Sequence, residues 1–279
     1  MSRRDHIIDV LIAERAPHLA ASAAWPLLRP VLYAILDYRK ARRMADAIMP
    51  LPGVEALDFI SRLLGVAVRA KGLERFPTRG RVIAVCNHPT GIADGIAVYD
   101  ALKTVRPDVV FYANADARRV APRFDDILIP VEWVAAKRTR ERTRLTLTRT
   151  REAMEAERAL MIFPAGRMSR RAGGVLADLP WAGGAISVAR RYDAPIVPMH
   201  LAGPSSGLFH FFNHFSSELR DITVFHELLN KRGKAFTLTV GHPVSPNALP
   251  LDPIEAAQAL KTFVETTLAN DPSARFGAA

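Results

Sequence analysis

The chain is poor in cysteine and in long apolar runs. Its 279 residues include a single cysteine, Cys86, which excludes a disulfide within the chain and favours a reducing compartment. Because Cys86 lies in a short run of valine, isoleucine and alanine, we interpret it as a small buried hydrophobe rather than a nucleophile. Near the amino terminus, Asp9 and Glu14 interrupt the apolar stretch that a signal peptide requires.

The best candidate for a membrane span, residues 19–36, is a poor one. It contains an arginine and two prolines, Pro26 and Pro30, so a charge and two missing backbone donors would lie in the bilayer. Two interpretations stay open. The segment lies in the membrane interface, with Trp25 and Tyr33 at headgroup depth, or it is an ordinary helical cap on a globular domain.

Several functional classes lack their signature motifs. There is no Gly-x-Gly-x-x-Gly for a dinucleotide, and no glycine-rich phosphate loop, finger or aromatic-basic motif for nucleic acid. We therefore expect no nucleic-acid partner. The charge is nonetheless unbalanced, because 38 lysines and arginines face 28 acidic residues, a net charge of +10. This surplus predicts an anionic partner, such as a membrane surface or a phosphorylated substrate.

The hydrophobic pattern changes near residue 65. Before it, apolar residues recur at helical spacing, and Pro50 to Gly53 break the helices. After it, seven short apolar runs alternate with longer amphipathic segments, which predicts an α/β fold with a mostly parallel or mixed central sheet flanked by helices. We predict an N-terminal helical, membrane-apposed region over 1–65 and an α/β domain with a closing C-terminal helix over 66–279.

The stretch NHPTGIADG, residues 87–95, places a histidine just past the end of an apolar strand. Ligands of open α/β sheets gather at that edge. Taken singly, Asp94 is an ordinary helix N-cap and His88 an ordinary turn residue. Taken together, a carboxylate that fixes one ring nitrogen of His88 as a donor leaves the other free to accept a proton. With no nucleophile aligned, such a dyad would activate a hydroxyl or amine of the substrate.

A second motif, FPAGRMSR, begins at residue 163 and follows another predicted strand. Gly166 lets the backbone approach a ligand closely, and Arg167 and Arg170 offer paired donors to phosphate or carboxylate. A solvated basic loop is the plain alternative. The functional interpretation is favoured because this turn is expected at the same sheet edge as His88.

The two motifs, in this order and each joined to a strand, resemble the lysophospholipid and glycerol-phosphate acyltransferase superfamily. In that family the first motif has four residues between His and Asp, and the third reads Phe-Pro-Glu-Gly-Thr-Arg-Ser. Here five residues separate His88 from Asp94, Ala165 replaces the Glu, Arg167 the Thr and Met168 the Arg. These departures resemble the hemolysin-like, ornithine-lipid-type branch. Which arginine contacts the acceptor is left open by them, and we favour Arg167, then Arg170.

The resemblance implies transfer of an acyl group from acyl-CoA or an acyl carrier protein to a lysophospholipid-like or amino-acid-lipid acceptor, on oxygen or nitrogen. It implies His88 as general base, Asp94 as its orienting partner, and no metal or other cofactor. We expect a cytoplasmic enzyme, peripheral on the inner face of the membrane, whose partners are an anionic membrane surface, the thioester donor and the lipid acceptor. The residues expected to support the site are Asn87, Thr90, Gly91, Phe163 and Pro164.

Three other features suggest rival or additional functions. Gly203 to Gly207 fit the Gly-x-Ser-x-Gly pattern of a serine hydrolase, so an esterase or lysophospholipase using Ser205, with Asp221 and His226 or His242, is the main alternative. His210 and His214 share a helix face but lack a zincin glutamate. The basic segment 137–151 reads as a solvated helix face, or as a docking surface for an acidic carrier protein or anionic headgroups.

Overall fold

Seven strands form one sheet in the computed structural model of the protein, which describes residues 5–132, 139–172, 174–205 and 207–277. Its order is β1-β9-β8-β2-β5-β3-β4, and every neighbouring pair is parallel except β8 and β9. A separate antiparallel hairpin comprises β6 and β7. The predicted mixed α/β sheet is confirmed. The strands are β1 Ala67–Lys71, β2 Val82–Cys86, β3 Val110–Asn114, β4 Leu128–Val131, β5 Ala159–Ile162, β6 Arg170–Ala172, β7 Val175–Ala177, β8 Ile196–Ala202 and β9 Ala235–Val240.

Helices precede the sheet, connect its strands and close the chain. As the sequence predicts, the helices are interrupted between Ile48 and Gly53. Gly65, in the left-handed conformation (φ 52°), ends the last helix before the sheet. The helices are α1 Ile7–Arg15, α2 Pro17–Ala21, α3 Trp25–Ile35, α4 Tyr38–Ile48, α5 Gly53–Leu64, α6 Ile92–Leu102, α7 Asp116–Val120, α8 Arg140–Glu155, α9 Gly184–Tyr192, α10 Gly207–Phe215, α11 Ser217–Asp221, α12 Val224–Leu229 and α13 Pro253–Thr262.

Two hydrophobic cores lie on opposite faces of the sheet. Alternate side chains of a strand point to opposite faces, so β2 contributes Ala84 to the first core and Val85 to the second. The first core includes Leu32 of α3 and Met44 of α4, whereas the second includes Met154 of α8. The N-terminal helices and α8 therefore cover different faces of the sheet.

The N-terminal helices share the first core with the strands. Residues on both sides of the predicted boundary near 65, such as Ile60 and Phe236, belong to that one cluster. The division into a 1–65 region and a 66–279 domain stays a prediction. Across the described ranges, no helix has both the length and the apolar character needed to cross a membrane.

Three local details differ from the sequence expectation. Helix α6 begins at Ile92, so Asp94 is its third residue and not its N-cap. The hairpin β6–β7 was not predicted, because three-residue strands carry too short a pattern to detect. The C-terminal helix, which Asp252 caps, continues from α13 into a π-helical turn, Phe263–Leu268, that was not predicted.

Candidate active site

Asn87 anchors the chain next to His88 by bonding the backbone of β8. Its side-chain amide donates to the carbonyl of Leu201 on β8 (3.0 Å), and its side-chain oxygen accepts from the Leu201 amide (2.7 Å). The side chain thus continues the pairing of β2 with β8 beyond Cys86, the last residue of β2. Meanwhile the backbone turns away from the sheet and places His88 at the carboxyl edge of the central strands.

His88 and Asp94 form the contact that the sequence predicts. His88 Nδ1 lies 2.9 Å from Asp94 Oδ2, and the carboxylate is fully buried. That same oxygen accepts from the amides of Thr90 (2.9 Å) and Gly91 (3.0 Å), and Oδ1 accepts from the Thr90 hydroxyl. An ionised carboxylate can only accept hydrogen bonds, so Nδ1 of the imidazole donates to it and carries the hydrogen. The lone pair is therefore on Nε2.

The imidazole of His88 is held in place and is open to solvent at one edge. It stacks on Phe163, the residue after β5, with ring centroids 4.3 Å apart. Its side chain is 18% exposed. No residue in the described ranges bonds Nε2, which is the atom that would receive a substrate proton.

The hairpin β6–β7 is attached to the backbone of His88 at both of its ends. The amide of Ser169, just before β6, donates to the His88 carbonyl (2.9 Å). Asp178, just after β7, accepts from the His88 amide (3.1 and 3.2 Å). Ser169 also donates its hydroxyl to Asp178. The FPAG loop and the histidine loop are therefore fixed relative to one another.

Asp178 is a buried carboxylate that the sequence analysis did not single out. Its two oxygens accept hydrogen bonds from Ser169, from Trp181 and from the His88 backbone amide. Burial raises the pKa of Asp178, while these donors oppose the rise. Its own amide donates to Glu265, which projects from the π-helical turn. No short motif marks this residue, since its contacts with His88 and Glu265 join positions far apart in the chain.

Replacing Asp178 by asparagine is expected to lower kcat about ten- to hundredfold. An amide nitrogen would face one of the donors, and an unsatisfied buried donor costs about 1–3 kcal/mol, enough to displace the His88 backbone. Steady-state kinetics with a melting curve measure this effect. Glu55→Gln, an exposed carboxylate on α5, is the matched control. An Asp178→Asn enzyme as active as the control would show that the attachment does not matter.

The arginines predicted to bind the acceptor lie in the loop before the hairpin and at its first residue. Arg167 is exposed and Arg170 half-buried on β6, and neither pairs with an acidic side chain of the described residues. Burial, and then the positive charges of Arg220 and Arg167, lower the pKa of the Arg170 guanidinium. Arg220 already pairs with Asp221. A bound anion would relieve the remaining repulsion, so Arg167 and Arg170 suit a phosphate or carboxylate.

Two glycines shape the loops around the dyad. Gly91 has a φ of 85°, and a Cβ built there would lie 2.9 Å from the sulfur of Met168. The FPAG loop thus packs on the histidine loop through Met168. Gly166 also has a left-handed φ of 63°, so turn geometry alone accounts for this glycine. Pro164 accepts a hydrogen bond from the Ala182 amide with its carbonyl.

The residues of the alternative hydrolase site are not brought together. The Ser205 hydroxyl accepts from Arg171 (3.1 Å), and a guanidinium cannot serve as a base. Asp221 pairs with Arg220, and His226 pairs with Asp37. The pattern around Ser205 is therefore present without a triad, although Ser206 of that motif lies outside the described residues.

The remaining sequence features have plain structural settings. Among the described residues no cluster of three or more His, Cys, Asp or Glu side chains could hold a metal, and His210 packs against Phe209. Cys86 is fully buried, and burial raises its pKa, as for a structural cysteine. The basic segment forms α8 from Arg140 onwards, with Thr139 as its N-cap, while 137 and 138 lie outside the described residues.

Two bacterial enzymes are similar to this chain along most of its length. A lyso-glycine lipid O-acyltransferase from Phocaeicola vulgatus is 29% identical over 202 residues, which cover 69% of each chain. A lyso-glycine lipid O-acyltransferase from Bacteroides thetaiotaomicron is 27% identical over 198 residues, 69% of this chain and 71% of that one.

The crystal structure of the 1-acyl-sn-glycerophosphate (LPA) acyltransferase from Thermotoga maritima matches 95% of this chain and 96% of that chain, with 14% identity and a TM-score of 0.49. A family model described as Acyltransferase matches residues 10–269, which is nearly the whole chain and includes both motifs. With the predicted dyad and the α/β sheet in place, the family match leads to one conclusion: the chain belongs to the acyltransferase family, and the protein is an acyltransferase.

Proposed function

We propose that the protein transfers a fatty acyl group from a thioester to the free hydroxyl of a lyso-amino-acid lipid. The observation that carries this proposal is the His88–Asp94 contact, with the His88 side chain partly exposed and Nε2 without a hydrogen-bond partner among the described residues. The similar bacterial enzymes are named for the same reaction on a lyso-glycine lipid, which favours oxygen over nitrogen as the acylated atom.

His88 acts first as a base and then as an acid. Nε2 takes the proton from the acceptor hydroxyl while its oxygen attacks the thioester carbonyl, and the new carbon–oxygen bond forms. The carbon–sulfur bond then breaks, and the departing thiolate takes the proton back from the imidazolium. Asp94 stabilises the imidazolium between these steps. No acyl-enzyme intermediate is needed, because the acceptor itself is the nucleophile.

Arg167 and Arg170 bind the anionic headgroup of the acceptor. Guanidinium groups pair with carboxylate and phosphate alike, so a free amino-acid carboxylate satisfies them as well as a phosphate would. Ser169 and Asp178 bond the His88 backbone, and Ser169 lies between Arg167 and Arg170 in the chain. These bonds support a role for the two arginines close to the dyad, where headgroup binding would help to position the acceptor hydroxyl for Nε2.

The proposal is tested by incubating the purified protein with a lyso-glycine lipid and an acyl thioester, followed by mass spectrometry of the lipids. We expect a diacylated ester and free thiol in equal amounts. Ser205→Ala is expected to keep at least about half of the activity, because among the described residues its hydroxyl bonds Arg171 alone. Fatty acid release that Ser205→Ala abolishes would instead establish the hydrolase alternative.

We also propose that α3 attaches the enzyme to the membrane interface. Leu27, Leu28, Val31 and Ile35 share one face of this helix and are between 42% and 80% exposed. Exposed arginines of α4 follow this face directly in the chain, as expected for a surface that meets anionic headgroups. The inner face of the membrane, where a cytoplasmic donor is available, is the corresponding location.

Leu28→Glu combined with Val31→Glu is expected to weaken binding to anionic vesicles at least about tenfold. Both side chains are exposed, so no core packing is lost, but two apolar contacts with lipid are replaced by charges that anionic lipid repels. Vesicle sedimentation at low salt measures the effect, and Arg79→Glu gives a charge-change control. Equal sedimentation of all three proteins would exclude α3 as the attachment.

A further inference from the structure

Helix α8 presents an exposed stripe of three arginines and one leucine. The stripe consists of Arg140, Arg144, Leu147 and Arg151, at spacing i, i+4, i+7 and i+11, which places all four on one face. We propose that this α8 stripe docks an acidic acyl carrier protein, which delivers the acyl thioester to His88. This inference rests on the proposed function for the existence of a thioester donor, and it selects the carrier protein as that donor.

The N-terminal part of the stripe is unpaired as far as the described residues show. Arg140 and Arg144 make no hydrogen bond or ion pair with the residues that the structure describes. The helix is fixed by its other side, where Thr150 bonds the Tyr112 hydroxyl (2.7 Å) and Met154 enters the second core. Leu147 is 58% exposed between the arginines. Arg144, which has no ion pair with the described residues, precedes Leu147 in the stripe, and Arg151, whose exposed ion pair with Glu155 is long at 4.0 Å, follows it. An exposed leucine between these cations suits a partner with acidic side chains around an apolar spot.

The topology brings the stripe to the correct edge of the sheet. Helix α8 follows β4, so its N-terminal end lies at the carboxyl edge of the strands, where His88 also lies. Thr146 donates to the carbonyl of Pro130 near the end of β4, so Arg140 and Arg144 extend past that point. From β4 to β2 is three strand spacings, about 14 Å. A carrier seated on α8 can therefore reach His88 with a flexible acyl-bearing arm.

The position of the stripe favours a protein partner over the membrane. The apolar face of α3 belongs to the layer over the first core, whereas α8 covers the second core on the opposite face of the sheet. A membrane that meets α3 therefore leaves α8 facing away from it. The stripe also spans twelve residues, or eleven helical steps of about 1.5 Å, and its length of about 16 Å is enough for the surface helix of a protein.

The experiment compares one acyl chain on two donors, an acyl carrier protein and coenzyme A. Arg140→Glu combined with Arg144→Glu reverses two charges on the stripe. The control, Arg79→Glu combined with Arg191→Glu, makes the same change at exposed positions that precede β2 and β8, on the opposite edge of the sheet. We measure kcat/KM for both donors, the affinity of the carrier for the full chain by fluorescence anisotropy, and vesicle binding.

We expect the stripe variant to lower the ratio of carrier-borne to coenzyme-A-borne kcat/KM at least about tenfold at low salt, with the control unchanged. An unchanged ratio overturns the proposal, as does an equal loss with both donors. Loss of vesicle binding with intact carrier binding would assign the stripe to the membrane instead. If the wild type transfers no acyl group at all, the proposed function fails, and the anisotropy measurement alone decides whether the stripe binds the carrier.

Discussion

Replacing His88 by alanine is expected to lower the rate of acyl transfer about a hundred- to ten-thousand-fold, the usual contribution of a general base. The loss should appear in kcat, because the imidazole acts on the reacting hydroxyl and the arginines that bind the headgroup stay in place. The backbone hydrogen bonds of His88 to Ser169 and Asp178 do not depend on the side chain, so the loops should keep their arrangement.

The chain offers a matched control for this variant. His6 Nε2 lies 2.9 Å from Asp46 Oδ1 in another histidine–aspartate pair, which joins the residue before α1 to α4. His6→Ala removes an imidazole from a similar pair and should leave kcat within about twofold. A His88→Ala enzyme that matches this control in kcat would remove His88 from the mechanism.

Asp94→Asn is expected to be nearly as severe, with kcat reduced about a thousandfold or more. Every partner of the Asp94 carboxylate is a donor, so an amide nitrogen cannot replace either oxygen without facing a hydrogen. If that nitrogen faces His88, Nδ1 must accept, and the ring proton moves to Nε2, the atom that should act as the base. The hydroxyl of the acceptor then has no proton acceptor.

The Asp94 variant is best studied beside Asp46→Asn in the control pair. The account predicts a loss in kcat with KM changed little, since neither Asp94 oxygen is exposed to the acceptor. A rise in KM with unchanged kcat would mean that Asp94 serves substrate binding. A fall in melting temperature with normal kcat would mean that it acts only as a structural residue of the α6 turn.

The sequence predicted the sheet and the dyad well because both rest on local patterns. All seven apolar runs are strands. His88 and Asp94 are only six positions apart, so one turn brings their side chains into contact. The shared edge of β2 and β5 followed from strand direction, and Phe163 lies against His88 there. The prediction that Asp94 is the N-cap of α6 was wrong, since Asp94 is the third residue of the helix and accepts hydrogen bonds from the amides of Thr90 and Gly91 before it.

The parts that escaped prediction depend on contacts between distant residues. Asp178 meets the His88 amide across 90 positions of the chain, and a single aspartate before a leucine and a proline carries no signal of that contact. The hairpin whose first residue is Arg170 could not be predicted from the sequence either, since its strands have only three residues each. Conversely, the pattern around Ser205 predicted a triad that the packing of α10 to α12 does not assemble.

The two proposed surfaces give the substrates separate routes to one edge of the sheet. Under these two proposals the acceptor would come from the membrane side, where α3 exposes its apolar face, and the donor from the opposite layer, where α8 exposes its arginines. His88 follows β2, a strand that contributes side chains to both cores. Such an arrangement lets a carrier protein bind and leave while the enzyme stays attached to lipid.

The most direct test of the mechanism is the pH dependence of a single turnover, measured for the wild type and His88→Gln with the acceptor lipid saturating. The account predicts that the residual rate of the variant rises in proportion to hydroxide concentration, because hydroxide replaces the lost base. The wild-type rate should instead become independent of hydroxide. Parallel pH profiles for the two enzymes, with rates within a few-fold of one another, would contradict the assignment of His88 as the base.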